Sequence, residues 1–324
     1  MKATTNRPLV TCLLLLAALP LTTATFYGQS QSPDHAPTAP ASPEAAAAKP
    51  KRAAGQHEPA KPWTPVYTAD GQPDWQGFWR PNPGGDSYDI AGGKQRPDYN
   101  LQGDGTPRAG VHRVSGTLDG QIPYQPWAAT RRKDVYDHND DPTKPEYVDT
   151  QAHCLLEGPG RVFIHSGFEI IQTPGYIVFL TEQNDEQVIV PLDNRPHVGS
   201  GIQLWQGDRR GHWEGNTLVV DVTNLKAKSR LDMVGDFYSP SAHWVERYTR
   251  VDDNTIKYEA TVTDPAVYTQ PWTLNIRFQR SHGDDPHYEL WEDACHEGER
   301  SADHLVISEE QLKENEKKAQ AVKQ

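Results

Sequence analysis

The sequence lacks a basic cluster. No run of Lys and Arg is longer than a tripeptide, and the formal net charge is −12. A nucleic-acid or anionic-membrane partner needs a basic face, so that class is set aside. No glycine-rich phosphate loop and no dinucleotide fingerprint occurs, which leaves no cofactor to expect. A Gly-x-Ser-x-Gly elbow is missing too; Gly199-Ser200-Gly201 reads as a flexible turn. Thirteen histidines invite a metal, yet no pair stands at His-x-His or His-x-x-x-His spacing, so none is expected. Nothing from Gly158 to Glu292 reads as a long amphipathic helix.

Cysteine is scarce as well, at positions 12, 154 and 295 only. Cys12 lies in the apolar run Leu9–Leu21, after Lys2 and Arg7 and before Thr22, Thr23 and Ala24. A basic start, a short apolar core and small residues make up a secretory signal peptide over 1–25. The run falls short of the roughly 20 residues of a membrane span, so no integral span is expected after cleavage. A lipobox reading of Cys12 fits less well, because most of the apolar core follows the cysteine. Export to a periplasmic or secreted location leaves Cys154 and Cys295, which are expected to pair. A bridge closing roughly 140 residues would contribute about 4–5 kcal/mol on the chain-entropy account.

What remains, roughly 240–260 residues, suits one large β domain or two small ones. Residues 26–62 are rich in Ala, Pro and Ser and too poor in apolar groups to offset ordering entropy; they read as a disordered linker, with a partner-binding arm or wall tether as the alternative. Residues 63–153 are rich in Pro, Gly, Asp and Tyr, and predict a loop-rich wrap with a strand near Gly77–Arg80 and a helix near Pro126–Val135. From Cys154 onward, strand-length apolar segments recur between turn signals. They predict strands near Val162–His165, Glu169–Thr173, Tyr176–Glu182, Gln187–Leu192, Ile202–Trp205, Gly211–Glu214, Thr217–Val222, His243–Val251, Thr255–Thr263, Trp272–Arg280 and His287–Glu292. Gly215-Asn216 and Asp252–Thr255 are hairpin turns. Short connections force antiparallel neighbours, and closure hides the edges. The expected fold is mainly β, a lipocalin-like antiparallel barrel or closed meander over 154–300. A surface helix is expected within 301–324, opened by the capping box Ser308-Glu309-Glu310-Gln311.

Five motifs then fall in order: Pro73-Asp74-Trp75-Gln76-Gly77-Phe78-Trp79, Phe168–Gly175 (FEIIQTPG), Trp213–Asp221 (WEGNTLVVD), His243–Tyr248 (HWVERY) and Ala294–Gly298 (ACHEG). The set resembles a large group of exported bacterial proteins without an assigned reaction. Before Trp213 that group usually reads Gly-His-Ser-x-Gly-Arg, where this chain has Gly207-Asp208-Arg209-Arg210-Gly211-His212. If that stretch lines a site, the ligand differs. Gly77-Phe78-Trp79 also resembles the Gly-x-Trp of lipocalin-like barrels, whose Trp plugs one end.

Nine Trp and thirteen Tyr against seven Phe suit half-buried sheet faces, and equally pockets for sugars or aromatic ligands. Trp79, Trp213, Tyr248 and His197 are the candidate ligand contacts. On strand 243–251 both faces carry charge. If His243 and Arg247 face the interior, they form a titrating group beside a fixed cation; the plain alternative is an exterior ion pair of Arg247 with Glu259 or Asp221. With Glu246 and Glu169 they are the candidate catalytic set. His165, Glu182, Asp221 and the pair His296-Glu297 are further candidates for acid–base work. Three functions follow from these residues. One is an exported protein binding an aromatic, apolar or sugar-like small molecule in the barrel mouth. The second is a metal-free lyase, isomerase or hydrolase. The third is a structural envelope protein. The sequence leaves the oligomeric state open.

Overall fold

Alternating burial runs through nearly every strand of the computed structural model. It describes residues 64–83, 88–93, 111–282, 285, 287–293 and 305–322. The expected signal segment 1–25, the expected linker 26–62, Cys295 and His296-Glu297 lie outside the described residues. Strands β1 (Gly77–Pro81), β2 (Val114–Ser115), β3 (Phe168–Thr173), β4 (Tyr176–Thr181) and β5 (Gln187–Pro191) are followed by β6 (Asp208–Glu214), β7 (Thr217–Thr223), β8 (His243–Asp252), β9 (Thr255–Thr263) and β10 (Trp272–Arg280). Helices α1 (Pro126–His138) and α2 (Glu309–Val322) complete the regular elements, apart from short 3-10 turns.

The sheet order is β5-β4-β3-β1-β10-β9-β8-β7-β6, with β2 attached to β10. All its ladders are antiparallel. Two meanders, β3–β5 and β6–β10, are joined by β1, which carries the Gly-x-Trp segment between β3 and β10. The result is a nearly closed nine-strand barrel. Tight turns set the registers. Glu214 pairs with Thr217 across Gly215-Asn216, and Thr173 pairs with Tyr176 across Pro174-Gly175. Gly215 and Gly175 sit at φ +58° and +81°, left-handed values that favour glycine.

The interior is filled. Val162, Phe163 and Ile164 do not make the expected strand; a 3-10 turn, Arg161–Phe163, carries them into the barrel. The Phe163 ring meets those of Phe168, Phe179, Tyr248, Tyr258 and Phe278 at centroid distances of 5.3 to 5.9 Å. Two other expected strands are also absent. Residues 202–205 contribute only a bridge between Leu204 and Leu225, and 287–292 is irregular.

The two barrel ends are plugged differently. At the end holding the β3–β4 and β8–β9 turns, Trp79 is fully buried and donates Nε1–H to the Trp75 carbonyl at 2.9 Å. The guanidinium groups of Arg280 and Arg250 stand 4.7 and 5.4 Å from its ring centroid, and Trp213 meets Trp75 edge-on at 4.8 Å. The other end is covered by 147–165 and 225–242, which carry the buried charged residues Glu157, Arg161, Asp232 and Asp236 among apolar ones.

Outside the barrel, α2 is mostly exposed. Its capping box forms in both directions: the Gln311 N–H donates to Ser308 Oγ at 3.2 Å, and the Ser308 N–H donates to Gln311 Oε1 at 2.9 Å.

Candidate functional site

The polar end of the barrel holds a run of buried ionisable groups. Glu246 on β8 is fully buried. Its carboxylate accepts from Arg209 on β6 and from the Tyr248 and Tyr258 hydroxyls, the last two at 2.9 and 3.0 Å. Burial, reinforced by the Glu246 charge, pushes both tyrosines well above their ordinary range. Arg209 Nε donates to the Gln206 carbonyl at 3.0 Å. The Gln206 amide donates to Glu186, which also accepts the Glu157 backbone N–H. The Glu157 carboxylate lies 3.2 Å from His165 Nε2 and 3.5 Å from Arg161 Nε. Arg161, fully enclosed, forks onto Asp149 at 2.9 and 2.6 Å. Burial pushes Asp149 up, but this bidentate pair outweighs it and holds the carboxylate below its usual range.

Glu186 carries a testable consequence. Burial, with the Glu157 charge second, pushes its carboxyl up to about 8 from an ordinary 4.5. Between those pH values the folded chain holds a proton that the unfolded chain has released, so stability falls as pH rises through that window. The slope for one such group is about 1.4 kcal/mol per pH unit. Glu186→Gln is expected to remove that slope between about pH 5 and 8 in urea melts. Parallel wild-type and variant curves would show an ionised Glu186 in the fold.

A cavity of about 840 Å³ opens beside this polar end. It lies against the outward side of β1 and β10 and is lined by Arg80, His165, Glu182, His282, Tyr288 and Trp291, among others. Glu182 accepts the Gly167 N–H at 3.0 Å and the Tyr288 hydroxyl at 2.6 Å. Burial, with help from Glu182, pushes the Tyr288 phenol up to about 12, so it is a neutral donor at ordinary pH. The His282 ring stacks on Tyr288 at 3.7 Å and 7°. His282 has φ +52°, an uncommon conformation for a non-glycine residue. Trp291 is 76% exposed. His165 belongs both to this cavity and to the buried network. Chemically, the cavity offers an aromatic surface, hydroxyl and amide groups, one carboxylate and an imidazole backed by a buried carboxylate.

The candidate catalytic set is not brought together. On β8 the inward face is Trp244, Glu246, Tyr248 and Arg250, not His243 and Arg247. Both of the latter face outward, and each makes an exterior ion pair: His243 with Asp221 at 2.5 Å, Arg247 with Glu214 at 2.8 Å. Glu246 points inward. Glu169 alternates outward on β3, four strands away along the sheet, with its pKa raised by partial burial. Sequence left the face of β8 open because the strand is charged on both sides; the exterior ion pair is the arrangement found, and Arg209, 37 residues upstream, permits Glu246 to be inside.

The expected ligand contacts separate too. Trp79 is sealed in the barrel end, Trp213 packs on Trp75, and Tyr248 is buried in the core. His197 lies on the outer wall between two carboxylates, Asp208 at 2.8 Å and Asp221 at 2.7 Å. Of the further candidates, His165 and Glu182 do line the cavity. Sequence reading missed Arg80, His282, Tyr288, Glu157 and Glu186. The only available signal was the departure at Asp208-Arg209, whose arginine turns out to neutralise Glu246.

Among the described residues one group has metal-compatible geometry: Asp89, Asp232 and Asp236, with ligand atoms within 4.8 Å of one another. The protein already compensates it. Arg132 stands 2.9 Å from Asp236 and 3.7 Å from Asp89. Backbone N–H groups of Ala91, Gly93, Ile90 and Asp236 donate to Asp89 and Asp232. Burial, with the Asp236 charge second, pushes Asp232 well up. No described helix is long and apolar enough to cross a membrane.

No protein-family model matches the chain, and no curated protein matches it.

Proposed function

We propose that this is an exported barrel protein that handles a small, hydroxyl-rich, sugar-like ligand in the cavity beside the polar barrel end. The carrying observation is the contrast between a packed interior and an open 840 Å³ cavity that combines polar groups with aromatic rings. Such a mixture suits a ligand with apolar faces and hydroxyl edges. An aromatic ligand fits less well, because the Arg80 guanidinium would lose water without gaining a partner.

A calorimetric screen against monosaccharides tests this. Trp291→Ala is expected to weaken binding by about 0.5–1.5 kcal/mol, the value of an aromatic contact. Ser166→Trp, which places a bulky ring in the cavity, is expected to abolish binding while thermal unfolding shows a folded chain. Unchanged affinity in both variants would place the ligand elsewhere.

The enzymatic reading is favoured by one feature, the His165–Glu157 pair at the cavity wall. The carboxylate stands where it can orient the imidazole, the arrangement of a general base with a positioning partner. Export and kinship with the exported bacterial group are part of the same proposal and rest on the N-terminal segment and the motifs. The Cys154–Cys295 bridge belongs with them. Its support is Cys154, which is buried and bonded through sulfur. Mass spectrometry of exported protein without reductant reads both the cleavage site and the bridge.

A further inference from the structure

Charge in the cavity is unevenly answered. Among the described residues that line it, Glu182 is the only carboxylate. Both of its oxygens are already engaged, one by the Gly167 N–H and one by the Tyr288 hydroxyl. Arg80 lines the same cavity, is exposed, and makes no ion pair or hydrogen bond among the described residues. A guanidinium stays charged at every physiological pH and presents a planar fork of donors. The described imidazoles of the cavity, His165 and His282, supply further N–H groups. In a chain of net charge −12, a cavity whose one described acid is satisfied from within, and whose fixed cation has no counter-charge among the described residues, is an anion-seeking place.

We propose that the ligand of this cavity carries a carboxylate, and that it is a sugar acid of the uronate type rather than a neutral sugar. Arg80 takes the carboxylate in a bidentate pair. The hydroxyls meet the amide and hydroxyl groups of Gln279 and Ser281. The aromatic surface of His282, Tyr288 and Trp291 covers the ring's apolar face. Charge-assisted bidentate bonds are about twice as strong as neutral ones, so the carboxylate dominates selectivity.

This inference rests on the cavity being the ligand site. The experiment uses the full exported chain and four probes in calorimetry at neutral pH: galacturonate, glucuronate, galactose and glucose. At least one uronate is expected to bind roughly tenfold more tightly than its neutral counterpart. Arg80→Gln is expected to erase that preference and leave the melting temperature unchanged, since Arg80 is exposed and makes no ion pair among the described residues. Arg80→Lys keeps the charge without the fork and is expected to fall between. Neutral sugars binding as tightly as uronates, or a preference surviving Arg80→Gln, would overturn the acidic-ligand inference while leaving the cavity reading intact. If none of the four binds, or if Ser166→Trp leaves binding unchanged, the cavity reading itself fails and the inference with it.

Discussion

Arg209→Met is expected to lower stability by about 3–5 kcal/mol, because it strands the Glu246 carboxylate in the barrel interior. Both side chains are essentially inaccessible, at 1% and 0% exposure, so water cannot replace the lost charge. Methionine keeps most of the apolar stem, and the loss therefore reports charge rather than volume. Arg209→Met with Glu246→Met is expected to recover part of the loss. Recovery stays incomplete because the Tyr248 and Tyr258 hydroxyls then lose their shared acceptor. Guanidinium denaturation of the three variants reads this cycle. A single-variant loss under about 1 kcal/mol would mean that Glu246 is neutral or finds another counter-charge.

Phe163→Ala is expected to cost a similar 3–5 kcal/mol for a different reason. The ring is the hub of the barrel interior, surrounded by five other aromatic rings. Their neighbours are fixed in strands, so the gap cannot collapse and an apolar void remains. A void of that lining stays dry and accepts benzene. Benzene is therefore expected to raise the melting temperature of the variant and not of the parent. Equal shifts in both, or none in the variant, would show that the wall relaxes into the space.

Much of the barrel was legible in period-two alternation. Strands β7, β9 and β10 carry one plain apolar face each, and their bounds match closely what that pattern predicts. Val162–Ile164 misled because an apolar triplet is equally suited to a strand or to a buried turn, and here it is the stopper that fills the barrel. His287–Glu292 misled in the opposite way. Its aromatic residues look like strand, yet Trp291 is largely in solvent and Tyr288 serves the cavity. The candidate site was hardly legible. Arg80, His165, Glu182 and Tyr288 span more than 200 positions, and only the insertion of β1 between β3 and β10 draws them together. The same pairing across distance hid Glu246, whose inward position depends on an arginine from another strand.

The barrel is a strip curled round on itself, and its two free margins are β5 and β6. No hydrogen-bond ladder joins them among the described residues. Side chains bridge the line instead: Val190 and Leu192 lean over Gly211, where a methyl group would stand 2.5 and 2.8 Å from them. A wall that is stitched everywhere else and merely pressed together along one line has a preferred place to part. Amide hydrogens flanking that line should exchange with solvent ahead of those on β9, which lies farther round the wall and is laced on both sides. Breathing of this kind would leave both plugged ends undisturbed. The hidden carboxylates at the polar end would then meet solvent through the flank of the tube rather than through its openings.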